Sequence, residues 1–220
     1  MSKQRWDWIF DWSGTLVDDM ALVVCATNHV MRQYGKPEWD REAFRRHFSL
    51  PYEAFYEEYV PGVALEEIEQ HFREGFALSK EEVPVLEHAR DFLDYLARRG
   101  DRMYVLTSMC AKAFEEQVVS LGLEHFFEAR YAGVLDKRER IGEIIERHGM
   151  QEERTIFVGD MTHDVETAHH GGVHSVGVLT GYNHREVLEA VHPSVLANDL
   201  EDLRNMLESD QSWEQLVEKV

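Results

Sequence analysis

Trp8-Ile9-Phe10-Asp11-Trp12-Ser13-Gly14-Thr15-Leu16-Val17-Asp18 is the stretch on which the reading of this chain turns. An apolar run enters an aspartate, and a Gly-Thr turn follows at once. This pattern predicts a first strand over residues 5–11, with Asp11 at its carboxyl end. In an open parallel sheet, ligands sit beyond that end of the strands.

Outward from this strand, Leu22, Ala26, Val30 and Tyr34 share one face of a helix predicted over 20–34. Residues 37–84 carry only helical signals, punctuated by Pro37, Pro51 and Pro61. After Pro84 the pattern changes to alternating helices and short apolar strands. Strands are predicted at 103–107, weakly at 128–132, at 155–159 and at 174–178. Helices carry Phe92 and Leu96, then Phe114 and Val118, then Ile141 and Ile144, and one spans about 163–170. A last short strand and helix are expected over 194–207, and a docked amphipathic helix over 208–220. Such alternation implies an α/β fold, a doubly wound parallel sheet with right-handed crossovers. Residues 1–16 and 85–220 read as the core, and 17–84 as an inserted α-helical cap domain.

The 220 residues are 44% hydrophobic, enough to fill a core. A formal charge of -19 argues against nucleic acid or an anionic membrane as partner. No apolar run approaches the roughly 20 residues that span a bilayer. Two cysteines, Cys25 and Cys110, are too few for a disulfide scaffold and fit a reducing, cytoplasmic setting. Cys110 is expected to be a small buried residue. The twelve histidines show no Cys-His spacing; His163, His169 and His170 lack convincing partners and read as surface or core residues. The oligomeric state is left open.

Four strand ends carry polar chemistry: Asp11, Thr107-Ser108, Asp160, and Lys137 after the weak strand. Thr107, with Ser108 as its alternative, precedes a helix and reads equally as an ordinary N-cap. Gly159-Asp160-Met161-Thr162-His163-Asp164 places two carboxylates on a strand-to-helix turn. Gly14 permits the tight turn after Asp11, and consecutive N–H groups at Gly14-Thr15 are suited to cradle phosphate oxygens.

In order and spacing, these motifs resemble the four motifs of the haloacid dehalogenase superfamily, whose core is Rossmann-like. The resemblance implies that Asp11 is a nucleophile forming an aspartyl-phosphate. It implies that Lys137 balances charge beside the phosphoryl group, although the usual neighbouring proline is missing from Asp136-Lys137-Arg138. It further implies Mg2+ held by Asp11, Asp160 and the Ser13 carbonyl, with Asp164 as a further or alternate ligand. Thr107, Ser108, Gly14 and Thr15 would bind phosphate. Ile156-Phe157-Val158-Gly159-Asp160, Ser175-Val176-Gly177-Val178 and Gly181-Tyr182 resemble the phosphoglycolate phosphatase branch. Arg45, Arg46, His47 and Tyr52, in the cap, are the candidates for substrate recognition, the arginines through a carboxylate or second phosphate.

The first motif departs from the superfamily's Asp-x-Asp-Gly-Thr at Ser13, where the usual aspartate protonates the leaving group and deprotonates water. General acid–base help of that kind is worth about 10²–10⁴-fold. Three consequences are open: a preference for good leaving groups, recruitment of another group from the cap, or loss of turnover. Asp11-Trp12-Ser13-Gly14-Thr15 also resembles the Asp-Trp-Ala-Gly-Thr of phosphonoacetaldehyde hydrolases, which need a cap lysine for a Schiff base. Only Lys36 and Lys80 lie in this cap, and the loop His47-Phe48-Ser49-Leu50-Pro51-Tyr52 has none. The expectation is a Mg-dependent phosphatase of a small phosphorylated metabolite, with carbon–phosphorus hydrolysis or phosphate binding without turnover as alternatives.

Overall fold

The computed structural model describes residues 5–209. All four residues of β1 (Asp7–Phe10) are buried. A strand covered on both faces needs apolar side chains on both, and the period of two sorts them. Trp8 and Phe10 point into one core and Ile9 into another. The same division runs through β2 (Arg102–Leu106) and β4 (Thr155–Gly159), where Met103, Val105, Ile156 and Val158 join Trp8 while Tyr104, Leu106 and Phe157 join Ile9.

Helices complete each layer. Phe92 and Leu96 of α5 (Ala89–Arg99), Phe114 and Val118 of α6 (Ala111–Ser120) and Leu203 of α10 (Leu200–Glu208) fill the first core. Ile141 and Ile144 of α7 (Arg138–His148) and Ala168 of α8 (Thr162–His170) fill the second. With β3 (Ala129–Tyr131), β5 (His174–Val178) and β6 (Val195–Ala197), the strands form one sheet in the order β3-β2-β1-β4-β5-β6. Every pairing is parallel. The chain runs outward from β1 to β3, then returns to β4 on the other side of β1. The strand order therefore reverses between β1 and β4, where a crevice for ligand opens in such sheets.

The helical block between β1 and α5 contains α1 (Met20–Gln33), α2 (Arg41–His47), α3 (Tyr52–Tyr59) and α4 (Leu65–Leu78). Its own core joins Val30, Phe44, Phe55 and Ile68 with Met161 and Tyr182, which belong to loops of the sheet domain. Two chain crossings connect the block to the sheet. Asp18 N–H donates to Pro84 O (3.0 Å) and Leu86 N–H to Leu16 O (3.0 Å).

Several details differ from the sequence expectations. β1 is shorter than 5–11, because Asp11 leaves the ladder after donating its N–H to Val158 O at 2.9 Å. Val17 and Val85 form an isolated antiparallel bridge at the cap junction, where only helix or loop was expected. A short helix, α9 (Arg185–Glu189), was not anticipated; five residues are too few to show a helical period. Cys110 is exposed rather than buried, since it precedes α6 in the turn at the open end of β2. Residues 210–220, most of the expected terminal helix, lie outside the described residues. Among the described residues no helix is long and apolar enough to cross a membrane.

Phe92 is the aromatic pivot of the first core, edge-on to Trp8 (centroids 5.6 Å) and to Phe10 (6.2 Å). Replacing it by alanine should cost about 3–5 kcal/mol, read as a lowered urea midpoint with an unchanged slope.

Candidate active site

Two strand ends and two helix starts converge at the reversal point. Asp11 follows β1, Asp160 follows β4, Lys137 opens α7, and Asp164 stands in the first turn of α8. The Lys137 ammonium lies 2.7 Å from Asp11 Oδ1 and 2.7 Å from Asp164 Oδ1. It is fully buried, as are all three carboxylates or nearly so. A second oxygen of Asp164 accepts from Met161 N–H at 3.0 Å, which fixes the carboxylate on the turn that carries it.

Asp160 is held from both sides. Thr15 Oγ1 donates to its Oδ1 (2.9 Å) and Tyr182 N–H to its Oδ2 (2.6 Å). Gly14, at φ +75°, lets the turn after Asp11 come down on this carboxylate; a Cβ there would lie 2.6 Å from Asp160 Oδ2. A Cβ on Gly181 would collide with the same oxygen. The N–H groups of Gly14 and Thr15 are not free for phosphate, as the sequence had suggested. They close the turn, donating to Val17 O (2.8 Å) and Trp12 O (3.3 Å). Gly14 and Thr15 instead build the cradle of Asp160.

Thr107 is buried, and its hydroxyl accepts from Met109 N–H at 3.2 Å, a local turn bond. The Ser108 hydroxyl is buried with no partner among the described residues. Thr107 accepts there and keeps its own proton, so either hydroxyl has a donor to offer a ligand.

Ser13 donates its hydroxyl to Asp19 Oδ2 at 2.6 Å. The other Asp19 oxygen accepts from Tyr182 OH at 3.2 Å. Asp19 is 1% exposed, immediately before α1. Sequence reasoning passed over Asp19 and used Tyr182 only for the branch resemblance, with no role at the site. The Asp18-Asp19 pair was visible beside the first motif, but a surface carboxylate and a buried one look alike in sequence.

The cap candidates divide. Arg45 faces the core, with Nε donating to Tyr182 O (3.2 Å) and Nη2 to Asn183 O (3.5 Å). It latches α2 to the loop that carries Tyr182. Arg46 is exposed and pairs with Glu42 at 3.3 Å, and the Tyr52 hydroxyl donates to Glu69 at 2.7 Å. His47 is also exposed, against Tyr59. The structure does not bring Arg46, His47 or Tyr52 to Asp11. Lys36 and Lys80 are exposed.

Electrostatics follow from burial. Desolvation pushes the Asp11 carboxyl up to about 6 against the pull of Lys137, and pushes Asp160 well above the carboxylate range. Asp19 is pushed up to about 7 by burial, more than its two hydrogen bonds offset. The carboxylates of Asp11 and Asp164 favour the charged form of Lys137. His163 is driven down to about 4, chiefly by burial and then by Lys137. Its Nε2 lies 3.2 Å from the Lys137 backbone N–H and accepts from it, so the ring supports the lysine turn.

Asp11, Asp160 and Asp164 each present an oxygen within 4.8 Å of the others. One ammonium faces three carboxylates, an excess of negative charge in a buried, all-oxygen donor set. That is the chemistry of a hard divalent cation such as Mg2+, and these residues fit one.

A doubly wound sheet with this cluster at its switch point and a helical block above it defines a Rossmann-like hydrolase. The chain belongs to the haloacid dehalogenase-like hydrolase family, whose sequence model matches residues 8–178. It is 28% identical over 209 residues to a 5'-nucleotidase of Pseudomonas aeruginosa, covering 91% of this chain and 95% of that protein. It is also 28% identical over 205 residues to a phosphoglycolate phosphatase of Synechococcus elongatus, covering 89% and 93%. A haloacid dehalogenase-like family protein from Streptococcus pneumoniae shares the fold with a TM-score of 0.80 at 20% identity, over 93% of this chain and 99% of that one.

Asp19 gives a pH signature to the metal-free protein. Its folded pKa is raised, from 3.8 to about 7, so its contribution to stability is full below about pH 4 and is lost as pH rises through 7. Asp19→Asn keeps an uncharged side chain at every pH. In chelator, the melting temperature of the native protein should fall more between pH 5 and 8 than that of Asp19→Asn; equal slopes would contradict the burial argument.

Proposed function

We propose that this protein is a Mg-dependent phosphatase acting on a small phosphorylated metabolite through an aspartyl-phosphate at Asp11. The observation that carries this reading is the Asp11–Lys137–Asp164 bridge beside Asp160. It fixes one Asp11 oxygen against a buried ammonium at the switch point, as a nucleophile for phosphorus requires. The relatives named as phosphoglycolate phosphatase and 5'-nucleotidase support phosphoryl chemistry and a small anionic substrate.

In the first half-reaction an Asp11 oxygen attacks phosphorus, and the bond to the leaving oxygen breaks. Lys137 faces the charge that develops between Asp11 and the phosphoryl group. The Ser108 hydroxyl, without a partner among the described residues, donates to a phosphoryl oxygen. Mg2+, held by Asp11, Asp160 and the Ser13 carbonyl with Asp164 close by, would neutralise phosphoryl charge and orient it for in-line attack.

Proton transfer is assigned to the Ser13–Asp19 pair. Serine alone is a poor acid or base at pH 7, but its hydroxyl here donates to a buried carboxyl. Asp19 starts in the neutral form that its burial favours; the leaving oxygen takes a proton from Ser13 Oγ, and the Asp19 proton passes to Ser13 Oγ, leaving the carboxylate for the second half-reaction. In the second half-reaction water gives its proton to Ser13 Oγ, and the serine proton passes to Asp19. Asp19 lies at the first residue before α1, so the missing carboxylate is replaced from the cap junction. Carbon–phosphorus hydrolysis finds no support in the cap, where both lysines are exposed.

The test is phosphate release with and without Mg2+ from 2-phosphoglycolate, a nucleoside 5'-monophosphate and p-nitrophenyl phosphate. Release should require Mg2+ and vanish in Asp11→Asn. Asp19→Asn should lower kcat on the alkyl phosphates by about 10²-fold, with a much smaller loss on the aryl phosphate, whose leaving group needs no proton. Undiminished release by Asp11→Asn would end the aspartyl-phosphate reading. Equal losses on both substrate types would remove Asp19 from the proton path.

A further inference from the structure

A second cluster of metal-ligand side chains lies in the helical block, separate in sequence and composition from the catalytic carboxylates. His29 sits on α1, and His71 and Glu74 sit one turn apart on α4. Their ligand atoms all lie within 4.8 Å of one another. Glu74 Oε2 is 3.1 Å from His71 Nδ1 and 3.7 Å from His29 Nε2. In a tetrahedral zinc site with bonds of about 2.0–2.1 Å, neighbouring ligand atoms are about 3.3 Å apart. The two short edges already straddle that value.

The backbone explains how two distant histidines meet. Gly75 on α4 rests directly on α1; a Cβ there would lie 2.9 Å from Ala26 Cα and would also press on His29 Cβ. Only glycine permits this approach, and it sets His29 against the residues that precede Gly75. Gln70 then donates to Glu74 Oε1 at 3.0 Å, which leaves Oε2 turned toward the imidazoles. An orienting hydrogen bond on the far oxygen of a ligand carboxylate is a recurrent support of metal sites. The Gln33 amide, 3.3 Å from His29 Nε2, is the neighbour that must swing aside.

We propose that His29, His71 and Glu74 bind a zinc-class divalent cation that clamps α1 to α4. Two imidazoles and one carboxylate suit Zn2+ and disfavour Mg2+, which selects all-oxygen sites. The histidine side chains are 15% and 22% exposed and that of Glu74 is 45% exposed, so an ion reaches the site from solvent. The site is independent of the phosphatase reading, since none of its ligands takes part in the chemistry at Asp11.

Calorimetric titration of the full chain with Zn2+, in saturating Mg2+ to occupy the catalytic carboxylates, tests this. One equivalent of zinc should bind and raise the melting temperature. Binding should be lost in His71→Ala and in His29→Gln, weakened about 10–100-fold in Gln70→Ala, and kept in Asp160→Asn. Circular dichroism identical to native in the two histidine variants shows that folding is not the cause of the loss. Zinc binding that persists in both histidine variants, that disappears in Asp160→Asn, or that is absent from the native chain up to millimolar zinc would overturn the proposal.

Discussion

A single buried ammonium sets the terms for this protein. Lys137 is wholly inaccessible, and its Nζ lies 2.7 Å from Asp11 and from Asp164. Each partner is costly to bury alone, and removing one would leave an uncompensated charge in the interior. The arrangement therefore constrains three elements at once: the end of β1, the start of α7 and the first turn of α8. Even so the charges do not balance, because Asp160 and Asp19 add two more buried carboxyl groups. Burial resolves the excess by pushing Asp11, Asp19 and Asp160 toward their neutral forms. A divalent cation among Asp11, Asp160 and Asp164 would resolve it in the other direction for those three, leaving the proton on Asp19. On that view the polar centre is organised for a cation and a phosphoryl group.

Tyr182 ties the cap to this centre at several points. Tyr182 donates its N–H to Asp160 and its hydroxyl to Asp19, and its backbone carbonyl receives Arg45 from α2. Its ring packs against Phe44 (6.0 Å) and Phe48 (5.6 Å) of the cap. The same residue thus touches a proposed metal ligand through its backbone, and the proposed proton carrier and the apolar core of the block above through its side chain. In this arrangement the seating of the cap and the setting of Ser13–Asp19 are mechanically linked.

Much of this was legible in the sequence. Local signals fix β1, β4 and the helices with long apolar faces, and the turn after each strand marks Asp11, Asp160 and Lys137. The alternation of elements implied a doubly wound sheet, but the reversal between β1 and β4 is a property of pairing. What stayed hidden depends on distance through space. Asp19 was indistinguishable from a solvated carboxylate until Tyr182, 163 residues away, covered it. Arg45, Arg46 and Tyr52 are alike as polar cap residues, but only Arg45 reaches the core. His29 and His71 are separated by two helices in sequence and meet only because Gly75 carries no side chain. The amides of Gly14 and Thr15 were assigned to phosphate by motif, and the turn they close consumes them.

The most direct test of the central claim is a crystal structure of the protein with Mg2+ and beryllium fluoride, a stable stand-in for a phosphoryl group on a carboxylate. The account predicts BeF3⁻ bonded to an Asp11 oxygen, with Lys137 and Ser108 against its fluorines. It also predicts Mg2+ at about 2.0–2.1 Å from oxygens of Asp11, Asp160 and the Ser13 carbonyl. Beryllium fluoride bound away from Asp11, or Mg2+ seated without Asp160, would contradict it.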